Sequence, residues 1–400
     1  MKKKLCFLIL SFLVLGTACG NQSTKKEIHT PTARKPILIW SYYETPEQQQ
    51  SLNRLITDFN MAQTQYHASW EYVPMTEFTK RLSIGVTEDA LPDVVIIDNP
   101  DTMEYVKLGL FKDITDYVEK LNRGNEYYEE VLKSVRVKQR YYGVPFCTNN
   151  LALIYNKDMF QKAGLAVPKT WDDFLIACRK LTKGKCQGFA MSAISGEQGA
   201  FQTLPWVLSN DKGAITKESL TTGYERMEEL VSKGYMSEDC INWSQNDVAR
   251  KFISQEAAMM ENGSWVLPMV KNSGIHYGIA TLPLGEKKLS IVGGENLCII
   301  KKKRDSGAIR LLEYYNQNEV MDQICEDSYV LPPKKDQASV CAKKMADYEV
   351  FVRQMDHAVS RVSITNWSDL SELLSDETYR ILTGKGHGKE VGNTIMNRWK

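Results

Sequence analysis

Beyond its first twenty residues this 400-residue sequence has no apolar run long enough to cross a membrane, so no later segment reads as a spanning helix. Histidine is scarce. The five, at positions 29, 67, 276, 357 and 387, form no H-E-x-x-H and no close pair, and a zinc site would need ligands from distant parts of the chain. G-x-S-x-G is absent, which argues against a serine hydrolase built on a strand-to-helix elbow. C-x-x-C is absent too. The glycines Gly384, Gly386 and Gly388 follow no strand pattern, and Lys389 precedes Glu390 instead of Ser or Thr; they read as a loop before a last helix, not as a phosphate cradle. The only dense basic cluster, Lys301 to Arg304, reads as a solvated element end, and with 50 basic against 49 acidic residues there is no nucleic-acid footprint. No repeat or low-complexity tract stands out.

What the chain does have begins at its N-terminus. Lys2, Lys3 and Lys4 precede eleven residues, Leu5 to Leu15, that are too few for a span, and Gly16, Thr17 and Ala18 follow. Residues 1–18 therefore read as a signal peptide. Cys19 resembles the lipidated cysteine of bacterial lipoproteins, although Gly16 stands where leucine is usual. That resemblance implies a diacylglyceryl anchor on the extracytoplasmic face of the cell membrane. Residues 19–35 are polar, with too few large apolar side chains to bury themselves, and suit a flexible tether. Without the leader, 47 basic residues face 49 acidic ones, a balance of −2. Nine cysteines less Cys6 and Cys19 leave seven, an odd number that cannot all pair within the chain. Cys178 shares a helical face with Phe174 and Leu181 and reads as a small core residue.

Strand and helix patterns alternate from residue 36 onward. Ile37 to Trp40 is a short apolar strand, and Thr45, Pro46 and Gln48 form an N-cap signature before a helix buried through Leu52, Leu55, Ile56 and Phe59. Trp70 to Val73 and a helix around Phe78 and Leu82 make a second unit. Asp93 to Asp98, apolar on both faces, reads as a central parallel strand. Past Gly143 the alternation restarts, with a strand over Leu151 to Tyr155, a helix capped by Thr170 with Asp173 at N3, helices over 217–233 and 246–256, and a strand over 257–260. About 365 residues exceed one ordinary domain. The fold class is α/β, two-lobed, with a ligand cleft between the lobes, since open sheets of this kind bind beyond their strand ends.

The sequence Tyr142-Gly143-Val144-Pro145, followed by Leu151 to Lys157, Ala163-Gly164 and Pro168 to Phe174, resembles the extracellular solute-binding proteins of carbohydrate ABC importers, the group that includes the maltose-binding protein. Ala258 to Trp265, Gly278 to Pro283, Gly293 to Ile300 and Tyr329 to Pro332 agree in order. The resemblance implies discontinuous lobes of the periplasmic-binding-protein type, 36–148 with 284–328 and 149–283 with 329–400, joined by crossovers near 148–151, 279–283 and 329–332. It implies no catalysis, no cofactor and no metal. The expected partners are a carbohydrate ligand and the subunits of an ABC permease, with the protein itself a monomer.

Positions matching the family's ligand contacts are Trp40, Tyr42 and Glu44 after the first strand, Asp98 and Asn99 after the third, and Asn149 and Asn150 at the first crossover. Trp206, Trp265 and Trp367 are the ring candidates of the other lobe, and Glu295 and Asn296 follow the paired glycines. Rings stack on the C–H faces of a sugar while carboxylates and amides bond its hydroxyls. Each has a packing alternative, and Asp98 in particular can cap the following helix. Two other functions fit the same chain: a ligand sensor for a membrane receptor, and a lipid-anchored glycoside-active enzyme using carboxylates such as Glu44 and Asp98.

Overall fold

The computed structural model describes residues 33–121, 126–209, 213–285, 289–302 and 305–399. The leader, Cys19, nearly all of the tether, and residues 303–304 of the basic cluster lie outside these.

Folding starts at β1 (Lys35–Ser41), one residue before the expected start and extended at both ends. It pairs in parallel with β2 (Tyr66–Tyr72) on one side and β3 (Val94–Asp98) on the other. Every residue of β3 is buried, as its unbroken Val-Val-Ile-Ile run requires of a strand covered on both faces. At about 1.5–3 kcal/mol per buried Val or Ile side chain, this strand anchors the sheet. β2 is the edge, and its alternating polar residues stay half exposed. Two later segments complete the sheet: β4 (Val144–Pro145), and an antiparallel strand, Glu295–Ile299, inserted between β3 and β4.

A second sheet has β5 (Ala152–Asn156) in the centre, flanked antiparallel by β6 (Met259–Asn262) and β7 (Tyr277–Ala280). The expected strand over 257–260 is thus two residues early. Ala257 and Met260 instead bridge in parallel to Gln187 and Ala190, widening the sheet. The Glu295–Ile299 strand of the large sheet is β8.

Helix starts obey their caps. Thr45 accepts from the Gln48 backbone while the Gln48 side chain reaches back, and Thr170 does the same with Asp173. Such a reciprocal box satisfies two otherwise orphan donors. The Pro46–Ala62 helix buries Leu52, Leu55, Ile56 and Phe59, the expected face. The helices expected over 217–233 and 246–256 run Lys217–Ser232 and Gln245–Ile253, the latter begun by a Ser244–Asp247 box. Cys178 lies in the core and all seven cysteines from Cys147 to Cys341 are free thiols.

Each sheet carries its own apolar core. Ile37, Ile39, Val94, Ile96, Leu297 and Ile299 pack with Phe59, Leu311 and Tyr315 on one face of the large sheet. Leu151, Leu153, Phe174, Trp206, Tyr224 and Leu374 centre the core on the small one. Leu284, Leu289 and Ile291 belong to the second core, and Ile291–Val292 pairs with Val359–Ser360. The side chains of Leu284, Leu289 and Ile291 are buried in this second core, and the chain joins the large sheet at Gly293-Gly294-Glu295. Thr148 bridges Leu331 and Asn149 bridges Gly293, so all the crossing segments run side by side.

Candidate functional site

The C-terminal ends of β1 and β3, the start of β8, and the helix entries 197–201 and 244–246 converge on a cavity of about 140 Å³. At about 30 Å³ per water in the liquid, that is room for roughly five waters, the scale of a small polar ligand. Tyr42, Tyr72, Phe201 and Trp265 present rings to it, and Glu44, Asp98, Glu197 and Glu295 present carboxylates. Asn149, Gln198, Gln245 and Asn246 add amides.

The site centres on Arg361. Its guanidinium makes a bidentate pair with Asp98, Nη1 to Oδ2 at 2.9 Å and Nη2 to Oδ1 at 2.7 Å, and also donates to Glu197 at 2.5 Å. Asp98 ends a strand of the large sheet, whereas Glu197 opens a helix of the other core, so one side chain ties the two together. The guanidinium also stacks on Phe201, 4.7 Å from the ring centre. Burial works against the Arg361 charge, yet Asp98 and Glu197 hold its proton more tightly than usual. Arg361 Nε has no partner. Trp367 Nε1 donates to both Glu197 oxygens at 3.1 Å, which holds that carboxylate from behind.

Asp98 caps the Asn99–Lys107 helix, as its packing alternative expected, by accepting from the Asn99 N–H at 2.9 Å, and pairs with Arg361 at the same time. Asp101, in the first turn of that helix, is pushed up to about 8 by burial, with the charges of Asp98 and Glu197 adding to the effect.

Glu295 is buried and receives Tyr42 Oη at 3.0 Å, Cys147 Sγ at 2.6 Å and Tyr43 Oη at 3.4 Å. Burial raises its carboxyl to about 7, against the lowering effect of the Cys147 and Tyr42 hydrogen bonds. Two glycines let the strand approach. A Cβ on Gly293 would lie 2.1 Å from Asn149 Oδ1, and Gly294 holds a φ of +119° with Cys147 O at 2.3 Å from any Cβ.

Of the twelve expected contacts, Tyr42, Glu44, Asp98, Asn149, Trp265 and Glu295 line the cavity. The other six are placed elsewhere. Trp40 is buried under the Arg81 guanidinium and donates to Glu71. Trp206 is fully buried among Trp171, Phe174 and Phe189 and donates to Glu261 at 2.8 Å; a strand-end or helix-centre tryptophan packs when an apolar core lies against it. Asn99 is buried in the first helical turn after Asp98. Asn150 holds the Phe351 carbonyl and Gln354, while Asn296 bonds Ser134 and Thr102. Trp367 stands one step back, acting through Glu197. Arg361, Glu197 and Phe201 had no signal of their own: Arg361 lies in a short turn after the strand Val359–Ser360, with no motif around it.

Residues 54–351 match the family described as bacterial extracellular solute-binding protein. The chain belongs to that family. Among curated relatives, the multiple sugar-binding protein of Streptococcus mutans is 27% identical, with 78% of this chain and 77% of that protein covered. The sn-glycerol-3-phosphate-binding periplasmic protein UgpB of Brucella melitensis is 23% identical, with coverages of 90% and 92%. Among solved structures, the GacH receptor of Streptomyces glaucescens superposes with a TM-score of 0.80 at 21% identity, over 91% of this chain and 97% of that one. This solute-binding protein accordingly has the two-lobed α/β fold, and its cavity lies between the two sheets.

The raised carboxyls have a consequence for stability. Glu295 at about 7, and Asp101 and Glu261 at about 8, all shifted up chiefly by burial, bind protons in the folded state that they would release when unfolded. Folding is favoured below these values, so stability falls as pH rises from about 5 to 8, by up to about 1.4 kcal/mol per pH unit for each group titrating. Asp113, Asp247 and Glu228 are held low by hydrogen bonds despite partial burial, and their contribution is lost only in acid. Urea unfolding of the ligand-free protein at pH 5, 6.5 and 8 is expected to show a falling midpoint; a rising one contradicts these assignments.

Proposed function

We propose that this protein is an extracytoplasmic lipoprotein, anchored through Cys19, that captures a mono- or oligosaccharide and delivers it to an ABC permease. One lobe would comprise 36–148 with about 293–328, and the remainder of the fold the other. The observation that carries the reading is the cavity itself. It combines aromatic faces with acceptors and donors, and its wall holds an unpartnered acceptor, Asn246 Oδ1, and an unpartnered donor, Arg361 Nε. A hydroxyl both donates and accepts, so a polyhydroxylated ligand satisfies such a wall.

Relatives named for sugar and for glycerol 3-phosphate leave two ligand classes to weigh. Four carboxylates and one guanidinium already paired twice make a poor phosphate site, which calls for cations with free donors. The same wall disfavours catalysis: Asp98, locked bidentate to Arg361, is poorly placed to exchange protons with a substrate. A ligand touching both lobes stabilises their closed arrangement by its differential affinity, and a permease reads that form.

Calorimetry against mono- and oligosaccharides and against glycerol 3-phosphate tests the reading. Binding of a sugar near micromolar, about −8 kcal/mol, is expected. Binding of the phosphate ester alone overturns it, and reducing sugar released from an oligosaccharide restores the enzyme alternative.

Trp265 is the ring to test first. It is half buried, packs against the cores of both sheets, and lies across Gly263, where a Cβ would stand 1.8 Å from the indole. Trp265→Ala is expected to weaken sugar binding by about 1 kcal/mol or more, roughly five-fold. Unchanged affinity by calorimetry would assign the ring to packing alone.

A further inference from the structure

The charges on the cavity wall do not balance. Among the described residues Arg361 is the sole cationic side chain lining it, and it is committed to Asp98 and Glu197. Glu295 is left with neutral donors only, the phenols of Tyr42 and Tyr43 and the thiol of Cys147. Glu44 stands exposed on the same wall, also facing the cavity. Asn246 Oδ1, buried there without a partner, is a further acceptor in want of a donor. The rings of Tyr42, Tyr72 and Trp265 border the same space, and an aromatic ring attracts a cation that meets its face. Of the buried unpartnered atoms on the lining residues, Asn246 Oδ1 calls for a donor and Arg361 Nε for an acceptor, and the charge left over on the wall is negative.

We propose that the physiological ligand is a cationic sugar, a hydroxylated ring bearing an ammonium group that the Glu295 side of the cavity receives. The inference rests on the sugar-binding reading and deepens it. A charged amine forms shorter and stronger hydrogen bonds to a carboxylate than a hydroxyl does, and the burial of Glu295 enlarges that difference. The groups facing Glu295 are Tyr42, Tyr43, Cys147 and, by their charges, Asp98 and Arg361. The proton that burial keeps on Glu295 stands in for the missing positive charge, and an arriving ammonium displaces it. Binding of the amine therefore releases a proton, whereas binding of an uncharged sugar does not.

The experiment is calorimetry at pH 6.5 on the intact mature protein with paired probes: glucose and glucosamine, galactose and galactosamine, mannose and mannosamine. Two buffers of different ionisation enthalpy report proton release, which requires no variant. For the pair that binds, the amine is expected to bind at least ten-fold tighter, to weaken as NaCl is raised, and to release a fraction of a proton. In Glu295→Gln the ratio is expected to fall below three-fold. Uncharged sugars that bind as well as their amines overturn the cationic assignment and leave sugar binding standing. A ratio that survives in Glu295→Gln overturns the role given to Glu295; failure of all six monosaccharides overturns the cationic assignment, and failure of the oligosaccharides as well overturns the sugar-binding reading.

Discussion

Arg361→Ala is expected to lower the unfolding free energy by about 3–5 kcal/mol, the range found when one partner of a buried ion pair is removed. The arginine is 3% exposed and Asp98 7%, so water cannot readily replace the lost guanidinium. Two carboxylates from different lobes would then face each other across the site with Asp101 behind them. Relief comes either by protonation or by the lobes moving apart. Urea unfolding at pH 7 measures the loss, and the deficit is expected to shrink at pH 5 as the orphaned carboxyls take up protons. The triple variant Arg361→Met with Asp98→Asn and Glu197→Gln should recover a substantial part of it, because it removes both carboxylates that the loss of the guanidinium leaves unpaired. A loss under 1 kcal/mol in the single variant would mean that Arg361 is solvated in solution.

Trp206→Ala is expected to cost about 3–5 kcal/mol, as for other large-to-small core substitutions, while leaving sugar affinity nearly unchanged. The indole is fully buried, its N–H donates to Glu261, and the substitution would leave that buried carboxylate with no partner. Trp265→Ala, by contrast, acts on affinity. The pair of variants separates two tryptophans that were both expected as ring contacts, Trp265 at a matched motif position, and an affinity loss in Trp206→Ala without destabilisation would reverse their placement.

That separation shows where sequence reading reaches its limit. β3, the two capping boxes and the Leu52–Phe59 face were legible because hydrophobic periodicity and local side-chain bonds determine them within a few residues. Asp98 and Glu295 were found through the family resemblance, which matches them after the third strand and after the paired glycines. Arg361 and Glu197 were not, although they organise the site. Their meaning comes from a contact 164 residues apart along the chain, and neither lies in a motif. The core taken by Leu284, Leu289 and Ile291 is illegible for a related reason: all three are apolar in either lobe, and only the packing decides which core takes them.

The central claim is that a sugar binds between the two lobes at this cavity. Hydrogen exchange with and without the bound sugar tests it most directly, since ligand contact and lobe closure both suppress local opening. Protection is expected at Tyr42–Thr45, Asn99, Asn149, 197–201, 244–246, 293–295 and 361, from both lobes together. Protection confined to one lobe, or centred on another surface, would contradict the account.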